Sequence, residues 1–365
     1  MSTSPFMTPG QGRHRRALAA RQRRRRQQAA GGVFGLAVLA AIGAMALSGR
    51  SNGGAHDPAK ASVRVAAKAA VAPALSPALS PAGLVLAKPA LALAGIATPS
   101  RDPIQLAFHS PPRAGLLLNL SSGRVLWQRN AFRRVPIASL TKMMTALLAV
   151  QSAPPSAGVL VTRAAINSGG SKVGVLPLGK HVLLESMLYG LLLPSGNDAA
   201  IALAQHLAGT VKGFVARMNS EAAHLGMGCT RYSSPSGYYD AGNFSCAADL
   251  AMLAHMDLAQ PRIARVVHTY SAVLPFPIKG GKLYLYNNNP LLIYHYPGTT
   301  GLKTGWTLAA GRCLVATAQR GGVRLGVVLL NSTAPGTQAR QLLDRAFHDV
   351  YHLPRVTEPP MPPGA

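Results

Sequence analysis

Three short clusters of polar residues carry the chemistry of this sequence. Ser139-Leu140-Thr141-Lys142 is its only Ser-x-x-Lys, and on a helix that spacing places both side chains on one face, a turn apart. A serine hydroxyl is a poor nucleophile until a neighbouring base takes its proton, and a lysine amine does this when neutral. A free lysine has a pKa of about 10.4, so such a site must lower it by burial or by a second cation. Ser195-Gly196-Asn197 is the only Ser-x-Asn; its hydroxyl can relay a proton and its amide can hold a substrate carbonyl. Lys303-Thr304-Gly305 is the only Lys-Thr-Gly. A cation and a hydroxyl on an edge strand bind a terminal carboxylate, and Gly305 lets a substrate backbone approach closely. Lys303 near Lys142 also supplies the repulsion that lowers the pKa of a base. Alone, each cluster reads as a capping serine, a loop serine or a strand-end lysine. Together, in this order, they point to nucleophilic serine catalysis.

The surrounding sequence predicts elements able to hold the clusters. Residues 114–120 and 124–128 flank Ser121-Ser122-Gly123 as a hairpin, and residues 312–319 and 323–331 flank Arg320-Gly321-Gly322 as another. Helical patterns run over 140–150, 199–207, 214–225 and 337–351, and Leu184, Met187, Leu188 and Leu191 share a face. Strands at both ends with helices between predict an α+β fold, an antiparallel β-sheet flanked by helices with an all-helical insertion.

The 365 residues include 37 Lys+Arg and 11 Asp+Glu, a formal net charge of +26. Hydrophobic residues make up 48% of the chain, which excludes wholesale disorder, and three cysteines cannot form a disulfide scaffold. The charge is unevenly placed. Eight arginines lie within residues 1–28, a basic cytoplasmic segment, followed by a nearly uncharged stretch at 29–49 that is long enough to cross a bilayer. Ala44-Met45-Ala46 matches a small-residue cleavage site, so 29–49 is a transmembrane signal-anchor or a removed signal peptide. Everything after it is then extracytoplasmic, or secreted if the signal is cleaved, which argues against a nucleic-acid partner. Residues 50–103 are an Ala/Pro-rich linker, 104–355 a catalytic domain with 23 Lys/Arg and 8 Asp/Glu, and 356–365 a Pro-rich tail.

The segment Arg134 to Thr145 around Ser139 resembles the nucleophile segment of the serine D-Ala-D-Ala carboxypeptidases, the low-molecular-mass penicillin-binding proteins. The segment Tyr189 to Ala200 is similar to that family's second motif, and Gly301 to Val315 to its third. Ser234-Pro235-Ser236-Gly237 and Ser245 to Leu250 follow its intervening pattern, so the likeness covers about Leu116 to Ser332. The resemblance implies the penicillin-binding protein/β-lactamase-like transpeptidase fold and no cofactor or metal. It implies Ser139 as the acylated nucleophile, Lys142 as its base and Ser195 as proton shuttle. Asn197 would position the peptide, Lys303, Thr304 and Gly305 would bind the substrate end, and the backbone N–H groups of Ser139 and Trp306 would form the oxyanion hole. The implied substrate is the peptidoglycan stem peptide ending in D-Ala-D-Ala, with β-lactams as acylating inhibitors and the cytoplasmic membrane as a further partner. Many such enzymes carry a C-terminal β-domain and amphipathic anchor; here the N-terminal apolar segment is expected to replace that anchor.

The alternatives are a DD-endopeptidase of the same family, which cuts crosslinks, and a catalytically idle penicillin- or wall-binding protein. Efficient β-lactamase activity needs a carboxylate after the second motif, and Glu221, in a predicted helix, is the one glutamate between Asn197 and Lys303. His181 and Glu185 have no second histidine at helical spacing and read as surface residues. Cys229 and Cys246 either pair or remain free and buried, Cys313 reads as a core thiol, and Asp198 as an anchor for the Ser-Gly-Asn loop. Tyr284, Tyr286, Tyr294 and Tyr296 read as strand packing or a wall-facing surface.

Overall fold

Runs such as Leu116-Leu117-Leu118 and Val327-Val328-Leu329-Leu330 contain no polar alternation, the pattern of strands covered on both faces. In the computed structural model, which describes residues 91–93, 96, 101–238 and 241–357, these runs lie at the centre of a five-stranded antiparallel sheet. Strand β1 is Ala114–Asn119, β2 Val125–Arg129, β3 Ser271–Pro275, β4 Lys282–Tyr286, β5 Thr299–Thr307, β6 Gly311–Arg320 and β7 Val323–Ser332. The main sheet has the order β2-β1-β7-β6-β5, while β3 and β4 form a separate hairpin. Leu117 sits opposite Val327, and Val315 sits opposite both Val328 and Lys303.

Because successive strand residues face opposite ways, the sheet divides two cores. Leu116, Leu118, Val315, Val328 and Leu330 face the larger, helical core. Leu117, Leu314, Ala316, Val327 and Leu329 face a smaller one closed by Leu342, Leu343 and Phe347. The latter residues belong to the closing helix, Pro335–Arg345, which continues as a wider turn over Ala346–Val350. Proline at its first turn suits a position with no helical hydrogen bond to give.

On the other face lie α1 (Lys142–Ser152), α2 (Leu184–Leu192), α3 (Asn197–Ala208), α4 (Val211–His224), α5 (Ala247–Ala259) and α6 (Pro261–His268). The first eight residues of α1 are all buried, and it packs against α2, α3, α4, α5 and α6. It is the axis of the helical side. Gly209 ends α3 with φ +69°, a conformation open to glycine. The α+β architecture is the one expected from strands at both ends and helices between them. Leu91, inside the expected linker, packs into the larger core, and Ile104 into the smaller.

Two ambiguities in the sequence are resolved by partners. Cys229 and Cys246 form a disulfide with Cα atoms 5.7 Å apart, so neither thiol is available as a metal ligand beside Asp249. Glu185 is bound by Arg262 at 3.0 Å and Arg265 at 3.4 Å, tying α2 to α6. Cys313 is a buried thiol in β6, outside that disulfide. Among the described residues no single helix is long and apolar enough to cross a membrane; the expected segment at 29–49 lies outside them.

Candidate active site

Ser139 lies in a 3-10 turn, Ala138–Thr141, that feeds directly into α1. Ala138 has φ +48°, a costly left-handed conformation for a side-chain-bearing residue, which must be held by its surroundings. The holding contacts come from within the turn, from the segment Ser234–Gly237 and from Asn243. Thr145 Oγ1 donates to the Pro235 carbonyl at 2.7 Å, and Thr141 Oγ1 donates to the Ala138 carbonyl at 2.8 Å. Asn243 Nδ2 reaches both Thr141 Oγ1 and Ser234 Oγ. Gly237, at φ +72°, passes so close that a Cβ there would overlap the Ala138 carbonyl. Only glycine fits.

Lys142 is fully buried, with Nζ 2.9 Å from Ser139 Oγ and 2.7 Å from the Ser236 carbonyl. Burial pushes its pKa well below that of an ordinary lysine, and the Lys303 charge adds to the effect, partly offset by Asp198. A neutral amine suits both neighbours: it donates an N–H to the Ser236 carbonyl and accepts the Ser139 O–H. The Ser236 carbonyl, 94 residues away in sequence, is a site group that side-chain reading did not single out.

The Ser-Gly-Asn cluster is the tight connection from α2 to α3. Ser195 has φ +66°, and its buried Oγ has no hydrogen-bond partner among the described residues. Asp198 fixes this connection, accepting from the N–H groups of Val173, Gly174 and Ala199, the anchoring expected of it. Asn197 Nδ2 donates to the Gly169 carbonyl at 2.6 Å, and its buried Oδ1 has no partner among the described residues. The amide is therefore part of the wall formed by residues 169–171 as well as a polar group facing the groove.

The third cluster lies on β5, an edge strand whose neighbour in the sheet is β6 alone. β5 packs against the turn that carries Ser139. Lys303 is buried, and burial lowers its pKa to about 7; its Nζ donates to the Thr304 carbonyl at 3.0 Å. A Cβ on Gly305 would lie 3.0 Å from the Ile137 carbonyl oxygen and 3.1 Å from Ser139 N. Glycine here lets the protein's own strand approach the nucleophile turn, a different reason from the close substrate approach read in the sequence. Trp306 follows and is 62% exposed.

Ser139 opens on two cavities. One of about 380 Å³ is lined by Ser139, Ser195, Thr304, Gly305 and Tyr294 among others. The other, about 750 Å³, is lined by Ser139, Gly170, Asn197, Tyr238, Trp306 and Leu308 among others. Ser139, Ser171 and Trp306 belong to both, so the serine stands midway along a groove. Such a geometry suits a chain that enters on one side, reacts at the serine and leaves on the other.

An α+β fold with a buried lysine against a groove-facing serine defines a class of serine acyl-transfer enzymes, and the comparisons agree. The D-alanyl-D-alanine carboxypeptidase family, peptidase S11, matches residues 108–334, and the chain belongs to it. The D-alanyl-D-alanine carboxypeptidase DacF of Bacillus subtilis is 33% identical over 243 residues, 64% of this chain and 62% of that protein. The match thus spans less than two thirds of that relative. A D-alanyl-D-alanine endopeptidase of Pseudomonas aeruginosa is 34% identical over 60% of this chain and 75% of its own. The solved Streptomyces K15 DD-transpeptidase superposes with a TM-score of 0.62 at 30% identity, covering 67% of this chain and 99% of that structure.

Proposed function

We propose that this protein is a serine D-Ala-D-Ala carboxypeptidase that removes the terminal D-Ala from peptidoglycan stem peptides. The observation that carries the reading is the Lys142–Ser139 pair: a fully buried amine with a lowered pKa, 2.9 Å from a groove-facing hydroxyl. Lys142 takes the proton as Ser139 Oγ attacks the penultimate D-Ala carbonyl. The developing oxyanion is held by the backbone N–H groups of Ser139 and Trp306. Ser195, whose Oγ is unpartnered, passes the proton to the leaving amine, and D-Ala departs. Water then attacks the ester on Ser139, regenerating the serine and releasing the trimmed peptide. Asn197 orients the stem peptide. Lys303 and Thr304 receive the terminal carboxylate, whose charge favours the protonated form of a lysine that burial has weakened to about 7.

Residues 29–49 hold the enzyme at the outer face of the cytoplasmic membrane, or direct its secretion, with 50–103 as linker to a catalytic domain at 104–355. A positive domain next to an anionic wall is concentrated at its substrate. β-Lactams open on Ser139 as mimics of the substrate and remain attached. Release of D-Ala from a soluble pentapeptide, lost in Ser139→Ala, is the expected result. Cleavage of a crosslinked dimer without D-Ala release would identify an endopeptidase instead.

A further inference from the structure

The hairpin β3–β4 carries a surface that the reaction at Ser139 does not use. Leu283 and Leu285 of β4 point into the core, so alternation sends Lys282, Tyr284 and Tyr286 outward. Val273 lies opposite Tyr284, and Ser271 opposite Tyr286. Tyr284 and Tyr286 are 60% and 62% exposed, and Val273 and the adjoining Tyr270 are exposed too. Contiguous aromatic surface of this kind marks an interaction site more often than a resting face. Its position is also telling. Asn287 N–H donates to the Tyr270 carbonyl at 2.8 Å, and Asn288 N–H to the Leu193 carbonyl at 3.3 Å, two residues before Ser195. Asn288 and Tyr294 line the 380 Å³ cavity with Ser139. Only Asn287 separates Tyr286 from Asn288, an extended span of at most ~7 Å. The aromatic face therefore runs directly into the reactive groove.

We propose that this face binds the polysaccharide strand to which the stem peptide is attached. The inference rests on the function proposed above, because it supplies the reason for a second, extended ligand continuous with the peptide at Ser139. Pyranose rings have flat C–H faces that stack on aromatic rings, while their hydroxyls can bond the tyrosine O–H groups and Lys282. Two tyrosines at i and i+2 on one strand, about 7 Å apart, suit successive rings of a linear polymer. A lipid surface fits less well: the large apolar side chains on the outward face are tyrosines and one valine, with no leucine, tryptophan or phenylalanine to insert.

The test uses the full chain and the double variant Tyr284→Ala/Tyr286→Ala, with penicillin acylation rate as the control for an intact site. Wild type should sediment with glycan strands freed of their stem peptides, and the variant should bind them about tenfold more weakly, the loss of one or two stacking contacts. D-Ala release from intact peptidoglycan should fall, while release from a soluble pentapeptide stays unchanged. Failure of wild type to bind peptide-free glycan, or equal binding by the variant, would overturn the proposal. So would binding to anionic vesicles that the double variant weakens while its glycan binding stays unchanged, the wild type and variant sharing the segment 29–49. Absence of D-Ala release from the soluble peptide would instead refute the proposed function, and glycan sedimentation would still decide the role of the aromatic face.

Discussion

The Nζ of Lys142 lies 2.9 Å from the Oγ of Ser139, and a second bond, to the Ser236 carbonyl at 2.7 Å, holds it there. The lysine is fully buried and Lys303 is close enough to repel its charge. A side chain that is ordinarily a protonated cation is thus made easier to deprotonate by its withdrawal from water, as the proposed base requires. Lys142→Arg should cripple acylation, because guanidinium cannot be deprotonated and so cannot accept the serine proton. Loss of the general base should slow penicillin acylation by about 10²–10⁴-fold, as measured by stopped-flow, and raising the pH should not rescue it.

In the proposed mechanism the two buried lysines need opposite states, which should set the pH profile. Lys142 acts when neutral, so activity rises as pH climbs through its lowered pKa. Lys303 binds a carboxylate when charged, so substrate capture falls as pH climbs through about 7. A bell-shaped kcat/KM is expected, with a descending limb near neutrality. The descending limb of kcat should lie at higher pH, since the bound carboxylate stabilises the Lys303 charge. Lys303→Arg, permanently charged, should remove that descending limb from kcat/KM measured on any peptide it still binds.

Gly237→Ala should damage the site from outside it. The added methyl would overlap the Ala138 carbonyl, a backbone atom, at a position with φ +72°. Moving that turn disturbs the Ser139 backbone N–H and the neighbouring Ser236 carbonyl. A stability loss of about 1–3 kcal/mol in urea denaturation, with slower acylation by the folded fraction, is the expected outcome.

Reduction of Cys229–Cys246 removes a crosslink separated by 17 residues. A loop of that size contributes about 3 kcal/mol in the chain-entropy account. Thermal unfolding under reducing conditions should shift down by several degrees, while folded protein still reacts with penicillin, because the bridge is not among the groove-lining residues.

Much of this was legible in the sequence because side-chain type and period carry it. Ser139, Lys142, Ser195, Asn197, Lys303 and Thr304 stood out as singleton clusters, and the Leu runs of β1 and β7 marked strands that divide two cores. The rest lies in relationships that no side chain announces. Ser236 contributes a backbone carbonyl, and every residue has one. The pairing of Cys229 with Cys246 depends on how α5 meets the loop after α4, not on spacing. Gly305 was legible as glycine, but the neighbour it makes room for is the Ile137–Ser139 backbone, known only once β5 is docked. The exposure of Tyr284 and Tyr286 required the hairpin register.

The most direct measurement is mass spectrometry of the intact protein after exposure to a labelled penicillin, followed by peptide mapping. The account predicts one adduct, equal to the whole β-lactam because ring opening loses no atoms, confined to the peptide containing Ser139 and absent from Ser139→Ala. An adduct that persists in Ser139→Ala, or that maps to another peptide in the wild type, would contradict it.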